Sequence, residues 1–469
     1  MTPAAWFGWG AGALAAASLP YWLPDAVVAL RVRIFALVNG DEGIPVPGKQ
    51  VPAEDFKRLY SDPAADGRSR GAALSDLFWY WLAPGPEVHQ EHLEPGPRYD
   101  EVARATRKIL SRLRKDEWED LVARSVGQVL DGLDGTTGSG SRRPLSVRLR
   151  DLMMPVWASV YYELVFAEPC PPLARDLIVA NANDVVSSLK CTSLRHMRKR
   201  DRLTRYLLDR IRAGEGPAAL PSVLTEQEQA YYLQGTYFNT AVVQMSEAMA
   251  HLLMAIAARP EIQQQLRSEP RDSGYLDRII DETLRVYPLF GVAHRITSRD
   301  IALDGAVIPG GSVLLFNYPA YQHSGPDDAD RFDPGRWLRE DTAQIRHIPF
   351  GISANRACPA RGVAPLTMRV AAAETLLRFD LASSAAHTRS LPNRGPCLLT
   401  PLATTPAPAS SAAGSTPRPV ARLAGQRVRD RWEDVWRSLV QLVLGSYMVW
   451  DARRLRLCRN HFAAQEAGR

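Results

Sequence analysis

One cysteine stands in a setting suited to chemistry. Cys358 lies in HIPFGISANRACPARG, residues 347–362, a loop punctuated by glycine and proline, and the run APLTMRVAAAETLLRF from Ala364 reads as a helix beginning just beyond it. A thiol there is favoured as thiolate, because the helix N-terminus carries partial positive charge and free backbone N–H groups. That makes Cys358 a candidate metal ligand or nucleophile. Taken alone it reads equally as an inert core thiol, the commoner fate of a free cysteine. Cys170, Cys191, Cys397 and Cys458 bring the total to five with no CxxC spacing, so neither a zinc site nor a disulfide framework is indicated.

Three charged residues upstream supply a second pattern. Glu282 and Arg285, in DETLR, share one face of an expected helix, and Arg336, in RFDPGRW, falls 22 residues before Cys358. An exposed pair of this kind contributes little by itself. In this order and spacing, however, Glu282, Arg285, Arg336 and Cys358 resemble the cytochrome P450 family, where such a Glu and Arg pair with an Arg of a later loop and clamp the segment beneath the haem. The resemblance covers roughly residues 35–401 and implies that Cys358 is the axial ligand of haem b, iron protoporphyrin IX. It further implies propionate partners in Arg295 and Arg356, and in Arg104 (Arg107 next) on the helix after Tyr99, with Phe350 and His347 at the haem edge. Buried carboxylates require charge-assisted partners, which suits basic residues at these positions. The loop departs from the family at Ala354 and Ala360, where glycines are usual, and Phe350 lies one residue farther from the cysteine. An altered loop with one added residue is therefore expected.

The central helix departs further. The family carries an acid followed by a threonine there, and counting back from ARPE at residues 258–261 those positions fall on Val243 and Gln244. Glutamine can hydrogen-bond a water but cannot act as an acid near neutral pH. Gln244, Val243 and Thr240 are the candidate distal residues, with Thr236 and Asn239 brought in if the helix bulges. The resemblance implies a haem-thiolate monooxygenase or oxidase acting on a small, largely apolar organic molecule or secondary metabolite with dioxygen and external electrons. Coupling, desaturation and peroxide use stand beside hydroxylation. A thiolate ligand pushes electron density to iron and favours O–O cleavage. The competing reading is a degenerate homologue that serves as a non-catalytic auxiliary of a partner enzyme.

The elements that must hold these groups are mostly helical, and the resemblance implies a mainly α P450 fold with a small β-sheet subdomain. Thr225 and Glu228 form a capping-box pattern before an apolar helix reaching Ala258, long enough to cross the middle of the molecule. Residues 294–320 read as strands with a hairpin turn at Asp304 and Gly305. The basic run over residues 189–212 reads as a solvated helix face. His89 and His92 fall in a Gly/Pro-rich loop and read as surface histidines rather than a metal pair.

Four regions are expected: an apolar N-terminal segment (1–34), the haem domain (35–402), a Pro/Ala/Ser/Thr-rich linker (403–424) and a C-terminal amphipathic helix (425–469). The first 24 residues carry no charge and lack the basic start of a secretory signal, and Pro20 and Pro24 weigh against a spanning helix. A separate short helix is expected over residues 26–38. In the last segment Trp432, Trp436, Leu439, Val440, Val443 and Tyr447 recur at helical spacing, with too many charges to span a bilayer. Both ends are expected to touch a membrane surface or partner, and removing them to leave the haem site intact. The chain has 469 residues and a net charge of +6 without a nucleic-acid-binding motif. That charge suits an acidic ferredoxin or flavoprotein electron donor, since too few residues follow the haem domain for a reductase, and a cytoplasmic location with membrane association through the ends.

Overall fold

The structure is a computed structural model that describes residues 3–39, 43–68, 73–82, 92–137, 143–269, 274–325, 328–339, 344–385, 387, 391, 393–402 and 420–467. Helices dominate. In chain order they are α1 (Pro3–Asn39), α2 (Phe56–Ser61), α3 (Ala73–Leu82), α4 (Pro97–Leu110), α5 (Lys115–Thr137), α6 (Leu149–Phe166), α7 (Pro172–Leu189), α8 (Met197–Arg212), α9 (Glu226–Leu233) and α10 (Val242–Ala257). They continue with α11 (Pro260–Ser268), α12 (Tyr275–Val286), α13 (Tyr318–Gln322), α14 (Ala364–Arg378), α15 (Val420–Leu455) and α16 (Leu457–Ala467).

The expected long helix is present but changes pitch. Thr225 accepts from the Glu228 amide and the Glu228 carboxylate accepts from the Thr225 amide, so the capping box closes the start of α9. Residues Gln234–Ala241 then form a π-helix that joins α9 to α10 without a break. Nearly every residue of α10 is buried, because α6, α7, α12 and α14 pack around it. The continuous helix Glu226–Ala257 is long and apolar enough to cross a membrane by composition, yet it lies mostly inside the protein. Trp157, Tyr162, Phe238 and Met249 belong to the same apolar core.

The strands are short and form two small sheets and a hairpin. β1 (Ile44–Val46) pairs in parallel with β6 (Val313–Asn317), which pairs antiparallel with β3 (Val292–Ile296). β4 (Ile301–Leu303) and β5 (Ala306–Ile308) form the expected hairpin, with Gly305 at φ +82° in its two-residue loop. β2 (Leu145–Arg148), β8 (Pro396–Pro401) and β7 (Phe379–Ala382) make a separate antiparallel sheet.

The chain ends differ from expectation. The helix expected at 26–38 is the last part of a single α1 that contains both Pro20 and Pro24. Residues 403–419 of the expected linker, like His89, lie outside the described residues, and the rest of the linker is already the first turn of α15. α1 packs along α15. Arg431 donates to the Tyr21 hydroxyl (2.9 Å) and Arg31 to the Gln441 amide oxygen (3.3 Å); the equal offset in numbering shows that the helices run parallel. The C-terminal helices are also fastened to the body. Arg148 pairs with Asp430 at 3.1 Å and with Glu433, Tyr80 donates to Asp451 at 3.0 Å, and Asp76 accepts the amides of Cys458 and Arg459. Met448, Val449 and Ala452 share an apolar cluster with Leu77, Tyr80 and Cys191. The basic run over 189–212 is likewise only partly a solvated face, since Arg200 is fully buried and donates to Asp184 at 2.7 Å.

Candidate active site

Cys358 borders a cavity of about 1260 Å³ that is also lined by the π-helix and the start of α10. Local backbone chemistry fixes the loop. The Cys358 amide donates to the Phe350 carbonyl (2.9 Å), which keeps Phe350 against the cavity despite the extra residue. The Cys358 carbonyl accepts from Arg361, and Ala360 accepts from Val363 and Ala364, so the chain winds directly into α14. Gly351 adopts φ +71°, and a Cβ there would lie 2.9 Å from the Tyr60 hydroxyl, so no larger residue fits without displacing that ring. Ser353 and Ala354 form an exposed turn, closed by the Asn355 amide to Ile352 (3.1 Å). Arg356 then enters the left-handed region at φ +53°.

Two residues that sequence reasoning missed hold this loop down. Asn355 is buried, and its side-chain amide donates to the carbonyls of Tyr60 (3.0 Å) and Ala65 (2.9 Å). Gln322 donates to the carbonyls of Leu284 and Arg285 at the end of α12 and accepts the Ile348 amide at 3.0 Å, tying that helix to the loop's start. Neither residue belongs to a motif, and each acts on backbone brought close only by the fold.

The charged trio comes together. Arg285 reaches both oxygens of Glu282, at 2.9 and 2.8 Å, and the Arg336 Nε donates to the same carboxylate at 3.2 Å. Glu282 also accepts the Asp333 amide, and Arg336 reaches Asp328 at 2.8 Å. All three are buried, so their charges are satisfied by one another and by the loop that carries Arg336.

Arg295 and Arg356 both line the cavity. Arg295 is buried on β3 and donates to the Tyr60 hydroxyl (2.9 Å), which in turn lies 2.9 Å from the Tyr318 hydroxyl; its Nε has no hydrogen-bond partner among the described residues. Arg356 stacks over Tyr99 at 3.9 Å and donates to the Leu93 carbonyl. Three expected members stand elsewhere. Arg104 and Arg107 are exposed, because the face of α4 turned toward the cavity carries Thr106 and Leu110 instead. His347 packs edge-on against Trp337, outside the cavity lining, and burial followed by the charge of Arg285 pushes it down to about 3.

Thr236, Thr240 and Gln244 also line the cavity, four residues apart. Positions i, i+4 and i+8 share one face of a helix, and the π-helix that carries Thr236 and Thr240 runs without a break into α10, which carries Gln244. Val243 does not line the cavity and is buried in the core. Asn239 also turns away, donating to the Leu82 carbonyl and bonding Asn181. The nearest acid on α10, Glu247, points to α6 and α7; burial pushes its carboxyl up, but Lys190 (2.7 Å) and Arg150 (3.1 Å) hold it below the usual range. No Asp or Glu lines the cavity among the described residues. Tyr161 does line it, and burial, followed by the neighbouring Cys358, pushes its phenol up.

These residues fit a haem. The cavity is lined mostly by apolar side chains, with few polar groups among them, as a site for a large apolar ring requires. A sulfur stands at one wall, and the partnerless Nε of buried Arg295 suits an acidic edge.

The comparisons agree with this geometry. The sequence profile of the cytochrome P450 family matches residues 174–405. Mouse cytochrome P450 3A41 is 29% identical over 157 residues and rat cytochrome P450 3A2 is 30% identical over the same length, each match covering 29% of this chain and 31% of the relative. The match thus spans about a third of these relatives' length. Among solved structures, retinoic acid-bound cyanobacterial CYP120A1 superposes with TM-score 0.58 at 18% identity, covering 75% of this chain and 88% of that one. Cytochrome P450SP alpha in complex with (R)-ibuprophen gives TM-score 0.59 at 16% identity, covering 74% and 88%.

Proposed function

The chain belongs to the cytochrome P450 family, and from that premise we propose that it is a haem-thiolate monooxygenase or oxidase of small, largely apolar organic molecules. The family's cofactor is haem b held through a cysteine thiolate. The observation that carries the proposal is that Cys358, Thr240, Gln244 and Arg295 line one and the same cavity. In this reading the Cys358 thiolate would hold the iron, Arg295 and Arg356 would hold the propionates, and Phe350 would pack against the ring. When bound, a haem with a thiolate ligand supplies an electron-rich iron that activates dioxygen.

The rest is the work of this chain's residues. Largely apolar walls exclude water and admit an apolar substrate, the class to which the retinoic acid and ibuprophen named with the similar structures belong. Thr236, Thr240 and Gln244 orient a water or a polar group of the substrate by hydrogen bonding. None of them is an acid near neutral pH, so protons arrive through water or the substrate itself. Electrons come from a ferredoxin or flavoprotein, for which exposed Arg361, three residues past Cys358, supplies part of a basic docking face. The free state of all five cysteines suits a reducing, cytosol-facing compartment.

Haem-loaded protein supplied with ferredoxin, its reductase, NADPH and dioxygen should convert members of a panel of apolar acids and terpenoids to oxidised products seen by mass spectrometry. Peroxide should be tried in parallel. The lack of an acid on the cavity wall favours, as the second reading, a non-catalytic auxiliary of a partner enzyme. Protein that purifies without haem and rejects added haem would leave that reading in place of the first.

A further inference from the structure

The outer face of α15 carries apolar side chains that nothing in the described structure covers. Val428, Trp432, Trp436, Leu439, Val443, Tyr447 and Trp450 are all exposed, Trp436 and Val443 by 66% and 67%. Their successive spacings of 4, 4, 3, 4, 4 and 3 residues repeat every eleven. A period of about 3.67 residues keeps close to the 3.6 of a straight helix, so the stripe runs nearly parallel to the axis for about 33 Å. A left-handed coiled-coil partner would ask for the tighter 3.5. The stripe is therefore shaped for a flat surface rather than a wrapping helix.

Charge is sorted around the stripe. Residues 438–450 carry none. Exposed Arg422, Arg427, Arg429 and Arg431 stand at one end, and exposed Arg454, Arg456 and Arg459 at the other. The acids of the same helix turn inward, with Asp430 and Asp451 buried and Glu433 bound to Arg148 and Arg437. α1 lies alongside and adds exposed Tyr21 and Trp22, Tyr21 beneath the Arg431 guanidinium. A row of aromatic and aliphatic side chains bracketed by basic ends is the pattern of a helix lying in a membrane interface, where tryptophan and tyrosine sit at headgroup level and arginines meet anionic lipid.

We propose that the α15 stripe, with α1 beside it, docks the protein in plane on an anionic lipid bilayer. The exposed face binds the membrane while the opposite face of α15 stays packed on the folded body. This does not depend on the haem reading. The test is sedimentation of the full-length protein with phosphatidylcholine vesicles containing or lacking phosphatidylglycerol. The wild type should pellet with the anionic vesicles, with a blue shift of tryptophan fluorescence and weaker binding at high salt. The combined substitution Trp436→Ser, Val443→Ser and Trp450→Ser, all at exposed positions, should lower vesicle affinity about tenfold or more with unchanged circular dichroism. Should the combined variant misfold, the single variants W436S and W450S each carry a smaller loss in the same direction. A wild type that stays in the supernatant, or variants that pellet as well as wild type, would overturn the proposal. So would a wild-type dimer that the substitutions dissolve without any vesicle binding, since the stripe would then be covered by a second copy.

Discussion

At Cys358 the local backbone explains how a loop short of two glycines and long by one residue still presents its sulfur. Phe350 stays hydrogen-bonded to the Cys358 amide, and Ser353 and Ala354 form an exposed turn between them. Asn355 is the pin, and replacing it with alanine leaves the Tyr60 and Ala65 carbonyls without their donor. The expected loss is about 1–3 kcal/mol in denaturant unfolding, with faster loss of haem. The Glu282→Ala change is harsher, because Arg285 and Arg336 would remain buried without their shared carboxylate. A loss of about 3–5 kcal/mol is expected on the same assay. This trio was legible in the sequence because its residues sit in short motifs at fixed spacing. Asn355 and Gln322 were not, since each bonds main-chain atoms remote in sequence. Arg104 failed for a related reason: one helical turn decides between cavity and solvent, and charge alone cannot say which face of α4 is turned inward.

The central helix shows how an element sets the chemistry of its face. Length, apolar character and capping box are legible in the sequence, as is the chance that a bulge brings Thr236, Asn239 or Thr240 into the pocket. Thr236 and Thr240 of the π-helix over Gln234–Ala241 line the cavity with Gln244, whereas Asn239 is spent on Asn181 and the Leu82 carbonyl. Residues on one helix should therefore respond differently. Thr240→Val and Gln244→Ala should weaken substrate binding up to about tenfold, or waste more electrons per product, with thermal stability little changed. Asn239→Ala should lower stability and leave the cavity's binding preference alone. Equal effects of the three on stability alone would deny the polar stripe a role in the pocket.

For the whole molecule, buried histidines set the response to acid. Burial, first among the causes in each case, pushes His294 down to about 4, His347 to about 3 and His387 to about 2. Each stays neutral when folded but takes up a proton near pH 6.5 when unfolded, so stability falls as pH drops below that point, by about 1.4 kcal/mol per unit for each histidine. Asp281 and Asp434 act oppositely. Burial and neighbouring acids push both up to about 6, so they bind protons in the folded protein first and offset two of the three histidines between about pH 6 and 4. The thermal midpoint should begin to fall near pH 6.5 and keep falling, at a net rate of roughly one histidine, down to about pH 4. His347→Leu should remove half or more of that fall without altering haem content, since His347 lies outside the cavity lining. The central claim, that Cys358 is the axial thiolate of a bound haem, is tested most directly by the absorption spectrum of the reduced, carbon monoxide-treated protein. The account predicts the strongly red-shifted Soret band of a thiolate-ligated haem, lost in Cys358→Ala and kept when Cys170, Cys191, Cys397 or Cys458 is changed; a protein that binds no haem, or a band that survives Cys358→Ala, would contradict it.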